Sequence, residues 1–164
     1  MTNLFKKIIL IISAIFVSII FLLFWGINKT PSQNNGAIKF FDSNYSNKEI
    51  TQILVEIADT PYKQSIGLMN RERLEDNLGM FFIFNDEQRR EFWMKNTLIP
   101  LDMIFLDKDF KIVNIVKNAI PCKILNCEVY SSLFPSKYVI EVNSGFVERY
   151  NLTLQTKVVY IPKR

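Results

Sequence analysis

The sequence predicts a mainly β domain, a small antiparallel sandwich or barrel with one or two short helices, preceded by one N-terminal transmembrane helix. Three observations support this fold class. An uncharged apolar run covers residues 8–25. After it, short segments rich in strand-forming residues alternate with polar turns. Only two stretches of this later part carry residues that favour helix ends.

The first 27 residues predict a membrane anchor. The apolar run is basic at its start, at Lys6 and Lys7, and would extend roughly 27 Å as a helix. The positive-inside bias then places the amino terminus in the cytoplasm and the remaining chain outside, in the periplasm or at the cell surface. A cleaved signal peptide, which would give a secreted form, is the alternative, although residues 24–28 offer no small-residue cleavage site.

A flexible linker is predicted over residues 28–37, which are polar and contain proline and glycine. The folded domain would then cover residues 38–164. A chain of that length forms one domain with one hydrophobic core.

The first element of this domain is a predicted strand over residues 50–57, where apolar and polar residues alternate. A short helix should follow, with Asp59 or Thr60 as its cap and Pro61 at its first position. The residues at helical spacing that we expect to pack on the core are Tyr62, Ile66 and Met69.

A meander is predicted next. Residues 79–84 form an apolar strand, and the polar turn at 85–90 suggests that residues 91–95 are its antiparallel partner. Further strands are expected over residues 101–106 and 110–116.

Two more strands are predicted near the carboxyl end, over residues 138–142 and 156–161. Ser144 is a suitable cap for a short helix between them, and Asn151 is suited to ending that helix in the left-handed conformation.

The composition excludes several classes of function. The chain has no histidine, which excludes histidine metal sites and Ser-His-Asp or Cys-His catalysis. The net charge of +4 is scattered, whereas nucleic-acid binding favours a concentrated basic face. We therefore expect no metal, no cofactor and no nucleic-acid partner.

Cys122 and Cys127 are the two cysteines of the chain. They lie on the predicted oxidising side of the membrane, where a structural disulfide is the favoured assignment. A redox pair usually has two intervening residues, and a thiolate metal site needs more ligands than two cysteines.

The candidate site lies between residues 91 and 106, where Lys95, Asn96, Thr97 and Asp102 interrupt apolar sequence. Burying such groups without partners costs roughly 1–3 kcal/mol each, so they satisfy one another or contact a ligand. If the loop between the strands has an even number of residues, Lys95 and Asp102 share one face beside Trp93. With an odd loop, Asp102 would instead accept N–H bonds from the Asn96–Thr97 turn.

Three functions are consistent with these features. The first is a membrane-tethered binding module for a small polar or anionic ligand. The second is an enzyme with Asp102 as acid or base and Lys95 stabilising charge. The third is an envelope structural or assembly factor that binds a protein partner through exposed aromatic residues.

The motifs GLMNR at 67–71, GMFFIF at 79–84 and FWMKNTLIPLD at 92–102, followed by the cysteine pair and SKYVIEVNSG at 136–145, resemble domain-of-unknown-function family 192. The resemblance covers residues 53–159. It implies a compact, mainly β fold, often behind a signal or membrane segment, and no established biochemical role. The positions that match the family's motifs are Arg71, Trp93, Lys95, Asn96, Thr97, Pro100 and Asp102, together with Cys122 and Cys127.

Overall fold

The computed structural model describes residues 36–43, 48–123 and 127–163. The predicted anchor at 1–27 and the linker up to residue 35 lie outside these described residues. Within them, no helix is both long enough and apolar enough to cross a membrane.

Nine strands and two short helices make up the described part of the chain. The strands are β1 (Gly36–Phe41), β2 (Glu49–Ala58), β3 (Leu78–Gln88), β4 (Glu91–Trp93), β5 (Leu101–Leu106), β6 (Ile112–Ala119), β7 (Val129–Ser131), β8 (Ser136–Asn143) and β9 (Lys157–Pro162). The helices are α1 (Pro61–Ile66) and α2 (Phe146–Arg149). The mainly β class with two short helices is therefore confirmed.

Seven of these strands form one mixed sheet in the order β6-β5-β8-β3-β2-β1-β9, and β4 and β7 form a separate two-stranded ribbon. All neighbours are antiparallel except β2 and β3, which are parallel. The prediction of a purely antiparallel sheet was wrong at this pair. The connection over residues 59–77, which contains α1, is long enough to return the chain to the same end of the sheet.

The predicted hairpin between residues 79–84 and 91–95 is also not formed. Instead β3 pairs with β2 on one side and with β8 on the other. The chain leaves the sheet after β3, and β4 pairs with the three-residue strand β7, which sequence patterning missed. A three-residue strand is too short to show a period of two.

The sheet curls strongly around the first of two hydrophobic cores. The rings of Phe81 on β3 and Tyr160 on β9 lie 5.0 Å apart, although two strands stand between them. In a flat sheet, with neighbouring strands about 4.8 Å apart, these positions would be about 14 Å apart. The sheet residues of this core are Ile38, Phe40, Ile53, Val55, Phe81, Ile104, Leu106, Ile140 and Val142.

The second core lies on the opposite face, because side chains alternate along each strand. Its residues from the sheet include Met80, Phe82, Met103, Phe105 and Val139. The ribbon and the loop after α1 cover it, with Phe92 packed edge-on against Phe82 at 5.0 Å. This covered face holds most of the candidate site.

Helix α1 begins as predicted, with the Thr60 hydroxyl accepting the amide of Lys63 and Pro61 in its first turn. It does not pack on the core, since Tyr62 is 74% and Ile66 39% exposed. The side chain of Gln64 docks the helix by donating to the backbone carbonyls of Ala58 and Ile83. The apolar anchor is Leu68, one residue beyond the helix cap.

Helix α2 buries Phe146 and Val147 in the first core. Its cap is Gly145, at φ 84°, and not the predicted Ser144. The left-handed conformation expected at Asn151 is present, at φ 50°. At the other end of the domain, β1 begins at Gly36, so Gly36 and Ala37 of the predicted linker belong to a strand.

Candidate functional site

Trp93 and Lys95 lie on the outer side of the ribbon. Phe92 and Met94 alternate with them and pack inward on the second core. Trp93 is 51% exposed, and the ammonium group of Lys95 lies 5.1 Å from the centroid of its ring. This is a cation–π contact at the surface.

Asp102 lies on the other face of the sheet. It is 1% exposed, between Leu101 and Met103, which point into the second core. Its two oxygens accept the backbone amides of Asn118 and Val147, each at 2.9 Å.

These positions separate Lys95 from Asp102, and the hairpin that both loop-length alternatives assumed is not formed, because β4 pairs with β7 and β5 with β6 and β8. Lys95 and Asp102 do not share a concavity beside Trp93. The amides that bind Asp102 also come from β6 and α2, and not from the Asn96–Thr97 turn. Ligand binding by the individual motif residues stays a prediction.

The turn at residues 94–97 is held by backbone hydrogen bonds on two sides. The amide of Asn96 donates to the carbonyl of Cys122, and its own carbonyl accepts the amide of Asn70. Asn96 adopts φ 57°, which an asparagine tolerates well. The predicted disulfide between Cys122 and Cys127 is present, so the carbonyl that accepts the Asn96 amide belongs to a disulfide-bonded residue. We call residues 67–71 and 94–97, joined by the bond from Asn70 to Asn96, the loop pair.

Thr97 lies within the loop pair and is 5% exposed. Its amide donates to the carbonyl of Met94. Its hydroxyl has no hydrogen-bond partner within residues 36–43, 48–123 and 127–163. The amide side chain of Asn96, at the surface, has none there either.

Arg71 ends the first half of the loop pair. Its guanidinium donates two hydrogen bonds to the carboxylate of Glu56, at 2.6 and 2.7 Å. This bidentate contact raises the pKa of Arg71 and fixes the side chain in place. Glu56 lies on β2, at the register position beside Met80.

The residue that sequence analysis missed is Glu141, in the middle of β8. Its neighbours in the register are Met80 and Met103, so its side chain points into the second core. It is 5% exposed, and its carboxyl group has no hydrogen-bond partner in the part of the chain that the structure describes. Burial raises its pKa to about 8, against the opposing effect of the Arg71 charge.

Glu141 lies directly beneath the loop pair. A methyl group built on Gly67 would be 3.8 Å from its carboxyl oxygen. The sequence signal for this residue was weak, since a single polar residue in the run VIEV is also typical of a strand with one solvent-facing side. β8 is a central strand of the sheet, and there both faces are covered.

Two further features bear on ligands. No group of three or more histidine, cysteine, aspartate or glutamate residues that would hold a metal ion occurs among the described residues. A cavity of about 420 Å³ has no residue of the loop pair in its lining. Its lining residues include Asp42, Lys48, Tyr150 and Thr156, and none of the predicted site residues.

The comparison with known families decides the classification. The family model of DUF192, described as an uncharacterized ACR, matches residues 43–160, which is more than half of the chain. The chain belongs to the DUF192 family. No curated protein gives a significant match.

Two solved structures are similar to this chain. One is a protein of Sinorhizobium meliloti 1021 described as a candidate transcription regulator, with 29% identity, a TM-score of 0.70, and coverage of 77% of this chain and 93% of that one. The other is a protein of unknown function from Novosphingobium aromaticivorans DSM 12444, with 32% identity, a TM-score of 0.67, and coverage of 75% and 83%. DUF192 membership therefore establishes the relatives of this domain but no specific biochemical function.

Proposed function

We propose that this DUF192 protein is a membrane-tethered, extracytoplasmic module that binds a small polar ligand at the loop pair. Glu141 would contact the ligand from below, and Thr97 and Asn96 would contact it from the side. The observation that supports this most directly is the carboxyl of Glu141, a residue only 5% exposed, which has no hydrogen-bond partner among the described residues.

A carboxyl group in that position is costly for the fold. Burying a polar group without a hydrogen bond costs roughly 1–3 kcal/mol. An alanine or leucine between Met80 and Met103 would avoid this cost. Strongly perturbed carboxyls of this kind are enriched at functional sites, and a ligand with a complementary group would recover the lost hydrogen bonds.

The backbone around Glu141 favours binding because it is already held in place. The bond from Asn70 to Asn96 joins the two loops, and the bond from Asn96 to Cys122 ties them to the disulfide. Little entropy would be lost on binding, since the loops need not be ordered by the ligand.

The roles of the motif residues then differ. Lys95 and Trp93 face outward and would contact only a part of the ligand that extends over the ribbon. Asp102 would have a structural role, because both of its oxygens already bind backbone amides. This removes the main support for Asp102 as an acid or base, and we propose no reaction.

A binding screen with paired variants tests the proposal. The full chain in detergent micelles is screened by thermal shift against fractions of envelope extract and a library of small polar metabolites. Glu141→Gln and Thr97→Val should each reduce the shift given by a hit, because each removes a polar contact. Glu72→Gln, an exposed carboxyl three residues before Glu75, serves as the matched control and should bind like the wild type.

Equal responses of Glu141→Gln, Thr97→Val and the wild type to every hit would refute binding at the loop pair. Loss of binding in the control as well would indicate that the hit acts elsewhere.

A second candidate function is binding of an envelope protein, and one surface favours it. Trp93 and Val129 are direct partners across the ribbon, both more than half exposed, and Ile120 nearby is 57% exposed. Crosslinking in membranes tests this candidate, since a discrete protein adduct that disappears in Trp93→Ser would support it. The description of the Sinorhizobium protein as a regulator does not extend to this chain, whose charges are scattered.

A further inference from the structure

We infer that the ligand of the loop pair presents a protonated amine to the carboxyl of Glu141. This inference rests on the proposed function and adds the chemical class of the group that is bound. Two features of the loop pair support it, the charges already present and the environment of the carboxyl, and the protonation of the carboxyl is compatible with it.

The positive charge near the loop pair is already compensated. Both terminal nitrogens of Arg71 donate to Glu56, in a bidentate contact with oxygens at 2.6 and 2.7 Å. The ammonium of Lys95 lies over Trp93, on the outer side of the ribbon. An anionic ligand would therefore have to break the contact between Arg71 and Glu56, whereas a cationic ligand need not disturb it.

The carboxyl of Glu141 is an acceptor that lacks donors. The side chains beside it in the register are those of Met80 and Met103, and Gly67 above it contributes no side chain. Neither methionine nor glycine provides a side-chain N–H or O–H group. Because only 5% of the residue is exposed, we expect a small group, such as the head of a primary amine, to reach the carboxyl.

Protonation is compatible with this assignment. The charged groups that face Glu141 are Arg71 from the loop pair and, through it, Glu56 from β2. Burial raises the pKa of Glu141 to about 8, so near neutral pH the free carboxyl holds a proton. An ammonium head displaces that proton into solvent and forms an ion pair with the carboxylate. At a pH one unit below the pKa, competition with the bound proton reduces the affinity for the amine about tenfold.

Calorimetric titration of the full chain in micelles tests the inference. Three probes with three carbon atoms each are compared: propylammonium, propanol and propionate. Propylammonium should bind saturably and release close to one proton near neutral pH, measured from the dependence of the heat on the ionisation enthalpy of the buffer. Its affinity should increase as the pH rises toward 8, as Glu141 loses its proton.

Glu141→Gln should weaken binding of propylammonium at least tenfold and abolish the proton release, whereas Glu72→Gln should alter neither. Absence of saturable propylammonium binding, or binding without proton release, would overturn the inference. Binding of propionate that depends on Glu141 and Thr97 would also overturn the amine assignment, although it would leave the proposed binding function intact. No change at Glu141→Gln for any hit of the wider screen would instead refute the function itself.

Discussion

The buried carboxyl of Glu141 predicts an unusual dependence of stability on pH. Its pKa is raised from 4.5 to about 8 in the folded chain, so the native state holds a proton that the unfolded state has released. The free energy of unfolding should therefore fall as the pH rises from about 4.5 to 8 and then level off. At about 1.4 kcal/mol per pKa unit, the full loss is roughly 4–5 kcal/mol.

No histidine titrates between pH 4.5 and 8, because the chain contains none. The pKa values of Tyr130 and Tyr160 are raised above 10, so these residues titrate at higher pH. Hydrogen bonds from lysine or arginine side chains lower the pKa values of Asp59, Asp86 and Asp109 from 3.8, so these carboxyls titrate at lower pH.

The assay is urea denaturation of the wild type, Glu141→Gln and the control Glu72→Gln at a series of pH values between about 5 and 9. The wild type and the control should lose stability together as the pH rises, and Glu141→Gln should not. The curve of Glu141→Gln should therefore lie above that of the wild type at alkaline pH. Parallel curves for the wild type and Glu141→Gln would contradict this prediction, because they would mean that Glu141 ionises normally in the fold.

Three further predictions follow from the same structure. Asp102→Asn should reduce the free energy of unfolding by about 2 kcal/mol, because one carboxylate oxygen that accepts a backbone amide is lost, and it should leave the ligand affinity unchanged. Denaturation measures the stability and calorimetry the affinity, and a loss of affinity without a loss of stability would place Asp102 in the binding site. Replacing both cysteines by serine should destabilise the chain by about 2 kcal/mol and speed hydrogen exchange at the amide of Asn96, because that amide donates to the carbonyl of Cys122. An unchanged exchange rate at Asn96 would show that the disulfide does not support the loop pair. Alkaline phosphatase fused after residue 37 should be enzymatically active, and a fluorescent protein fused at the same site should not fluoresce, because both fusions would be exported. The opposite pattern would place the domain in the cytoplasm.

The sequence predicted the bounds of several strands closely, including strands that contain polar residues. The strand at 101–106 was predicted with its observed bounds, and β2 and β8 to within two residues. Pairing was predicted less well because period and composition carry no information about partners. The predicted antiparallel hairpin between β3 and residues 91–95 assumed that consecutive strands are neighbours, whereas β8 and β2 lie beside β3.

The candidate site shows a similar division. The motif around Lys95 was found from its sequence because polar residues interrupt an apolar run, but whether Lys95 and Asp102 share a face depends on a loop whose path the sequence does not specify. Glu141 was missed because alternation alone places a glutamate of a half-buried strand in solvent. Only the position of β8 between β3 and β5, with the loop pair above it, buries this carboxyl.

The most direct test of the account is a carbon-13 NMR titration of the Glu141 carboxyl, assigned by the signal that Glu141→Gln lacks. We predict a pKa near 8 in the free protein and a value at least two units lower in saturating propylammonium, because the amine stabilises the carboxylate. A pKa near 4.5 that does not change when the amine is added would contradict it.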